Sequence, residues 1–343
     1  MNTCPVMPRH GGDWSAAQAQ FGRRPWLDLS TGINPWPYPI PEETAEDWTR
    51  LPAADQHRTL CAMAARCYGA GPETAVVAAP GTQALIQWLP YLAGRESLRV
   101  AVLGPTYAEH AAAWSAAGHQ VVPVGALADI AAVGASVAVV VNPNNPDGRS
   151  HPPESLCALT RTLRLLVVDE AFADVRPDVS LIPLVPHPPC LPERIVVLRS
   201  FGKFFGLAGV RLGFAVTGPL FAARLEAALG PWAVGGVAVR LGIRALSDET
   251  WQAATRIRLH EAAARLDAVL TAAGLTVTGG TDLFRFVVCE RARDVYERLG
   301  RAGILVRAFP HLPLCLRWGL PGHTEDWLIL REALALEGQD TLR

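Results

Sequence analysis

Lysine is almost absent from this 343-residue chain: its 31 basic residues are thirty arginines and Lys203. Acidic and basic residues nearly cancel, leaving a net charge of −1 and no field of one sign to hold nucleic acid or an anionic membrane. No uncharged apolar run reaches the roughly 18 residues of a membrane span. Met1 to Asp13 lacks the apolar core of a signal peptide. The seven cysteines (Cys4, Cys61, Cys67, Cys157, Cys190, Cys289, Cys315) include no C-x-x-C pair. An odd, dispersed set reads as reduced thiols, not as a zinc site or a disulfide framework. Internal repeats and low-complexity tracts are missing as well. The expectation is a compact cytoplasmic protein with a small-molecule partner and neither a nucleic-acid nor a membrane partner.

The missing lysines give weight to the one present. On a solvated surface arginine replaces lysine at little cost. A guanidinium, however, stays protonated and cannot form a Schiff base with a carbonyl. Lys203, in Ser200-Phe201-Gly202-Lys203, is therefore a candidate for covalent chemistry, with chance escape from the bias as the plain alternative.

Residues 1 to about 40 read as an irregular arm, stiffened by Pro35, Pro37, Pro39 and Pro41. From about 55 to 217, short Val/Ala/Leu runs alternate with helical patterns. Thr74–Ala79, Arg99–Leu103, Gln120–Val124, Val137–Val141, Leu165–Val168, Ile195–Leu198 and Gly213–Val216 read as strands. Ala108–Ala117 and Glu154–Leu163 read as helices between them. Near-continuous apolar strands joined by helices predict a mostly parallel sheet covered on both faces. Beyond about 219 come long helices (Pro219–Leu229, Glu249–Ala273), strands near Leu283–Val288 and Leu314–Trp318, and a last helix near Thr324–Leu336. This predicts an α/β chain with a larger domain over 41–218 and a smaller one over 219–343.

Ligands in such sheets bind at the carboxyl ends of strands, and the informative polar residues fall there. Pro80-Gly81-Thr82-Gln83 opens a helix, either as an ordinary N-cap or as a turn whose backbone N–H groups hold a phosphate. Tyr107 follows a strand and is either a ring for stacking or a core tyrosine. Asn142-Pro143-Asn144-Asn145-Pro146-Asp147-Gly148 offers side-chain amides at another strand end. Asp169 ends a fully apolar strand, where a carboxylate is costly unless a cation or donors meet it. It is either a helix cap or the partner of a protonated ring nitrogen. Ser200, Lys203 and Arg211 follow the next strand. A phosphate cradle, a stacking ring, an amide, a carboxylate and one amine form the set that pyridoxal phosphate requires.

At these residues the chain resembles the fold-type I pyridoxal-phosphate enzymes, the aspartate aminotransferase superfamily, over nearly its whole length. Within it, the likeness is to the histidinol-phosphate aminotransferase branch and to the threonine-phosphate decarboxylating enzymes there. It is carried by His10-Gly11-Gly12, Leu29-Ser30-Thr31-Gly32-Ile33-Asn34-Pro35, Asp169-Glu170-Ala171-Phe172, Gly303-Ile304-Leu305-Val306-Arg307 and Leu316-Arg317. The resemblance implies that Lys203 binds the cofactor covalently, Asp169 pairs with the pyridine nitrogen, Asn145 bonds the phenolic oxygen and Tyr107 stacks. It places Gly81, Thr82, Gln83, Ser200 and Arg211 at the cofactor phosphate. It gives His10, Gly11, Asn34, Arg307 and Arg317 to the substrate, with residues 1–40 as an arm contributing to that site. The implied reaction is decarboxylation of L-threonine O-3-phosphate in cobalamin biosynthesis by a homodimer. A transaminase acting on a phosphorylated amine is the alternative.

Three positions depart from the family pattern. Phe172 stands where aminotransferases commonly carry a tyrosine, and it cannot donate to the phenolic oxygen. Leu51 occupies the place of a tyrosine that reaches the neighbouring subunit's cofactor phosphate. Asp13 follows His10-Gly11-Gly12 where asparagine is more usual.

Overall fold

The computed structural model describes residues 11–42 and 48–335. In chain order the strands are β1 (Leu27–Leu29), β2 (Ala75–Ala79), β3 (Arg99–Leu103), β4 (Gln120–Val124), β5 (Val137–Val141) and β6 (Leu165–Asp169). They continue as β7 (Ile195–Ser200), β8 (Gly213–Thr217), β9 (Thr276–Thr281), β10 (Phe284–Val288), β11 (Ile304–Phe309) and β12 (Leu312–Gly319). The chain divides into two compact units. One comprises Met1–Trp36, Pro146–Gly148 and Ala254–Arg343; the other comprises Pro37–Asn145 and Arg149–Ala253.

The larger unit is built on a seven-stranded sheet in the order β2-β8-β7-β6-β5-β3-β4. It is parallel from β7 through β6, β5 and β3 to β4; β8 alone runs antiparallel to both β7 and β2. All five residues of β5 are buried, and so are all five of β6. This explains why they read as continuous apolar runs and not as alternating ones. On one face Val77, Val100, Val102, Val137, Val139, Val167 and Val196 pack with Leu85, Ile86 and Leu89 of the helix Thr82–Ala93 and with Trp114. Each such side chain contributes about 1.5–3 kcal/mol by leaving water. That core fixes the sheet edge on which the polar residues stand.

The smaller unit holds a five-stranded sheet, β1-β11-β12-β10-β9. β1 pairs in parallel with β11, while β11, β12, β10 and β9 pair antiparallel. Pro146–Gly148 belongs to this unit, and here glycine is required. Gly148 has φ +74, and a Cβ on it would enter the backbone of Gly280. The two segments touch main chain to main chain because neither glycine carries a side chain.

Three expectations need correction. The arm is not irregular: Trp14–Phe21 is a helix, N-capped by Asp13, whose carboxylate accepts the Ala16 N–H at 3.0 Å, and Gly22 ends it with φ +86. The arm's β1 draws its pairing from residues 304–306, far away in sequence. The helix expected to reach Leu163 stops at Leu159, where the Thr160 hydroxyl turns back to the Cys157 carbonyl at 2.7 Å. Finally, Cys157 and Cys190 form a disulfide with Cα atoms 5.2 Å apart, within the span a bridge allows. Cys61, Cys67, Cys289 and Cys315 are not disulfide-bonded. Among the described residues, no helix is long and apolar enough to cross a membrane.

Candidate active site

Strand register gathers the site in the larger unit. Across β5, β6 and β7, Val141 stands beside Asp169, and Asp169 beside Leu198. The turn carrying Asn145 and the segment carrying Lys203 therefore leave the strands on either side of β6 at the same end of the sheet. Lys203 lies in a one-turn helix, Phe201–Phe204, directly after β7. Phe201 and Phe204 are fully buried and anchor that turn. The Lys203 ammonium sits 5.7 Å from the centre of the Phe172 ring, three residues beyond Asp169.

Asp169 is buried and holds both oxygens in place. Oδ1 accepts the Ala171 N–H at 3.0 Å, and Oδ2 meets Nε2 of the buried His110 at 2.9 Å. The Ala171 N–H and the His110 ring nitrogen are thus the partners of this buried carboxylate. Sequence reasoning missed His110. The available signal was its place one helical turn after Tyr107, whose ring it meets edge-on at 6.1 Å.

A second chain of bonds fixes Tyr107. Its hydroxyl donates to the Gln83 carbonyl oxygen at 3.3 Å, and the Gln83 amide donates to Glu109 at 3.1 Å. The Gln83 side chain thus orients an aromatic ring, leaving its backbone N–H in the first turn of the helix Thr82–Ala93. In the asparagine turn, Asn142 and Asn144 use their amides to build the loop. Asn142 bonds His151 and Val179, and Asn144 bonds Thr106 and Pro105.

The phosphate candidates converge as well. Ser200 pairs with Gly213 across β7 and β8, and Gly213 pairs with Ala79 across β8 and β2. Gly81, with φ +81, caps the helix that starts at Thr82. A Cβ at Gly81 would come within 2.6 Å of the Arg211 guanidinium, and one at Gly213 would strike the Thr82 N–H. Arg211 itself holds a left-handed backbone, φ 55. Glycines here open the backbone around a cluster of N–H groups, a hydroxyl and a guanidinium, which is a cradle for an oxyanion.

In the smaller unit, Arg307 and Arg317 are direct Cα partners across β11 and β12, so their side chains share a face. Arg317 is buried; its guanidinium donates to the Ser30 carbonyl at 2.8 Å and lies 5.1 Å from the Phe284 ring centre. Burial, then the nearby Arg307, push its pKa down to about 9, with Asp28 opposing. Two adjacent guanidiniums, one of them desolvated, form a site that favours an anion. Asn34 is buried and turns its carbonyl oxygen to the Trp36 N–H at 2.9 Å. Gly11 lies against the Ser30 carbonyl so closely that a Cβ would overlap it. His10 falls outside the described residues. Phe172 is buried, and Leu51 is exposed at 67%.

A strand-end carboxylate, an adjacent lysine and a glycine-lined anion cradle on this sheet define a fold-type I pyridoxal-phosphate enzyme. The chain belongs to the aminotransferase class I and II family, whose pattern matches residues 26–329. It is 43% identical to a threonine-phosphate decarboxylase of Pseudomonas aeruginosa, an alignment spanning 96% of this chain and 97% of the relative. Among solved structures it resembles histidinol-phosphate aminotransferase from Sinorhizobium meliloti in complex with pyridoxal-5′-phosphate. That match has TM-score 0.84 and 22% identity, over 95% of this chain and 94% of the other. It also resembles L-threonine-O-3-phosphate decarboxylase from Porphyromonas gingivalis, with TM-score 0.72 and 18% identity, over 91% and 99%. The cofactor is pyridoxal 5′-phosphate. The residues present fit it: an acid held by His110, an amine at the same sheet edge, and a cradle that any Cβ at Gly81 would crowd.

Proposed function

We propose that this chain decarboxylates L-threonine O-3-phosphate to (R)-1-amino-2-propanol O-2-phosphate and carbon dioxide, a step of cobalamin biosynthesis. The observation that carries this reading is the 43% identity to a threonine-phosphate decarboxylase along nearly the full length of both chains. The cofactor, when bound, supplies an electron sink for a bond broken at the substrate's α-carbon. The chain's own residues do the rest. Lys203 would hold the cofactor through its amine, and the same amine, when not so engaged, would carry a proton. Asp169 keeps a proton on the pyridine nitrogen, with His110 and the Ala171 N–H holding its oxygens. Asn145 bonds the phenolic oxygen, Tyr107 stacks, and Gly81, Thr82, Gln83, Ser200 and Arg211 hold the phosphate. Arg317 grips the substrate carboxylate and Arg307 its phosphate, while His10, Gly11 and Asn34 close over the ligand. Two fixed anion anchors hold such a substrate in one orientation, and orientation selects which α-carbon bond breaks. Because these contacts also stabilise the ground state, the arginines serve binding and orientation more than rate.

The test is product analysis with L-threonine O-3-phosphate and pyridoxal phosphate, without a 2-oxo acid. Carbon dioxide released one-for-one with the aminopropanol phosphate is expected. Turnover only on adding 2-oxoglutarate would make it a transaminase of the histidinol-phosphate type.

The same reading makes the protein a homodimer. The larger unit leaves Trp48 70% exposed and Trp232 61% exposed, with Ile40 and Leu51 similarly bare. Aromatic groups this open are characteristic of surfaces that a partner covers. Sedimentation equilibrium is expected to give twice the chain mass of 36.8 kDa; a monomer at micromolar concentration would contradict this.

A further inference from the structure

One carboxylate beside the arginine pair has no part in the mechanism above. Asp28 lies on β1, and it is the acidic group whose charge opposes the depression of Arg317. Its Oδ1 accepts both the Ser30 N–H at 2.8 Å and the Ser30 hydroxyl at 2.6 Å. Its Oδ2 accepts the Trp14 indole N–H at 3.1 Å. A hydroxyl has a single proton, so donating it to Asp28 turns the Ser30 oxygen's lone pairs outward. One of them accepts the Gly12 N–H at 2.8 Å. The carbonyl of the same Ser30 receives the Arg317 guanidinium, and Gly11 packs on that carbonyl. Ser30 is therefore the junction between the arm and the anion-binding strand, and Asp28 decides which way its hydroxyl points.

We propose that Asp28 is a positioning residue: through Ser30 and Trp14 it latches the N-terminal arm onto the strand end that seats Arg317, and so sets substrate affinity. This deepens the functional reading above and rests on it for the substrate. The latch itself stands on the bonds from Asp28, Ser30, Gly12 and Trp14. Hydrogen bonds to a charged group are the strong ones, so losing them is felt at the site they brace.

The sign of one effect separates this role from a purely electrostatic one. Asp28→Asn removes a negative charge near two guanidiniums, which by Coulomb's law alone tightens anion binding and lowers KM. The latch predicts the opposite. In the cofactor-loaded enzyme, Asp28→Asn and Ser30→Ala are each expected to raise the KM for L-threonine O-3-phosphate about tenfold or more, with kcat within about threefold. Hydrogen exchange measured on the peptide covering residues 11–21 is expected to quicken about tenfold in both variants. Trp14→Phe, which loses one bond and keeps the fold of the strand end, is expected to show a smaller shift of the same sign. A KM that falls or stays level in Asp28→Asn overturns the proposal, and so does unchanged exchange in residues 11–21. If L-threonine O-3-phosphate is not a substrate of the wild type, the functional reading fails. The exchange measurement then decides the latch alone.

Discussion

Replacing Lys203 by alanine is expected to abolish both the visible absorbance of the lysine-bound cofactor and turnover. The loss in kcat should be roughly 10³-fold or more, the scale on which removal of a group acting directly on the reacting atoms is felt. No other lysine exists in the chain to substitute for it. The thirty arginines cannot do so, because a guanidinium does not form a Schiff base with an aldehyde. Lys203→Arg is the informative companion. It retains a positive charge next to Phe172, where the lysine ammonium lies 5.7 Å from the ring. If the charge alone mattered, arginine would restore much of the activity; if the nitrogen must bond covalently, arginine behaves like alanine. Cofactor absorbance retained in Lys203→Ala would sink the assignment. Melting temperatures close to wild type in both variants would exclude unfolding as the cause.

The lysine was legible because composition isolates it, and Asp169 because a carboxylate ending Leu165-Leu166-Val167-Val168 contradicts its surroundings. The central strands were legible for a related reason: burial on both faces leaves a continuous apolar run that only a parallel sheet interior requires. The smaller unit was harder. Strand β9 contains Gly279 and Gly280, which weaken any strand signal, and β11 is broken in the middle by Arg307. Three-residue β1 exists because Ile304–Val306 pairs with it, and no local pattern encodes a partner that distant. His110 was hidden among alanines in Ala108–Ala116, since a core histidine and an acid's partner look alike in sequence. The Cys157–Cys190 bridge spans 33 residues without a spacing motif, so a dispersed set of cysteines gave no sign of it. Contacts made across the fold were invisible, while residues at odds with their neighbours stood out.

The second large effect lies behind the site rather than in it. Glu170 and Arg199 directly follow Asp169 and precede Ser200, and both are buried. Arg199 bonds Glu170 at 3.0 Å and Asp174 at 2.7 Å, with its guanidinium 4.4 Å from the Tyr68 ring centre. Glu170 also accepts the Ser180 hydroxyl and the Leu181 N–H, each at 2.6 Å. Burial opposes the Arg199 charge, but Asp174 and Glu170 outweigh it and its pKa is raised. Burial pushes the Glu170 carboxyl above its ordinary value, with Arg199 as the strongest opposing influence. Arg199→Met fills the space but strands two carboxylates. It is expected to destabilise the protein by about 3–5 kcal/mol, the usual result of breaking a buried ion pair from one side. That corresponds to a melting point lower by roughly 6–20 °C. The pH dependence follows from the sign of the Glu170 shift. A carboxyl whose folded pKa is raised binds its proton more tightly when folded, so its burial costs most above that pKa and nothing below the unfolded value. Without Arg199 the Glu170 pKa rises further. The deficit of Arg199→Met against wild type should then be largest near neutral pH and shrink as the pH falls through the raised Glu170 range. The triple variant Arg199→Met/Glu170→Gln/Asp174→Asn removes every charge at once and should recover much of the lost stability. A deficit in Arg199→Met that stays constant with pH, measured by denaturant unfolding from neutral to mildly acidic buffer, would mean that lost packing rather than stranded charge is responsible.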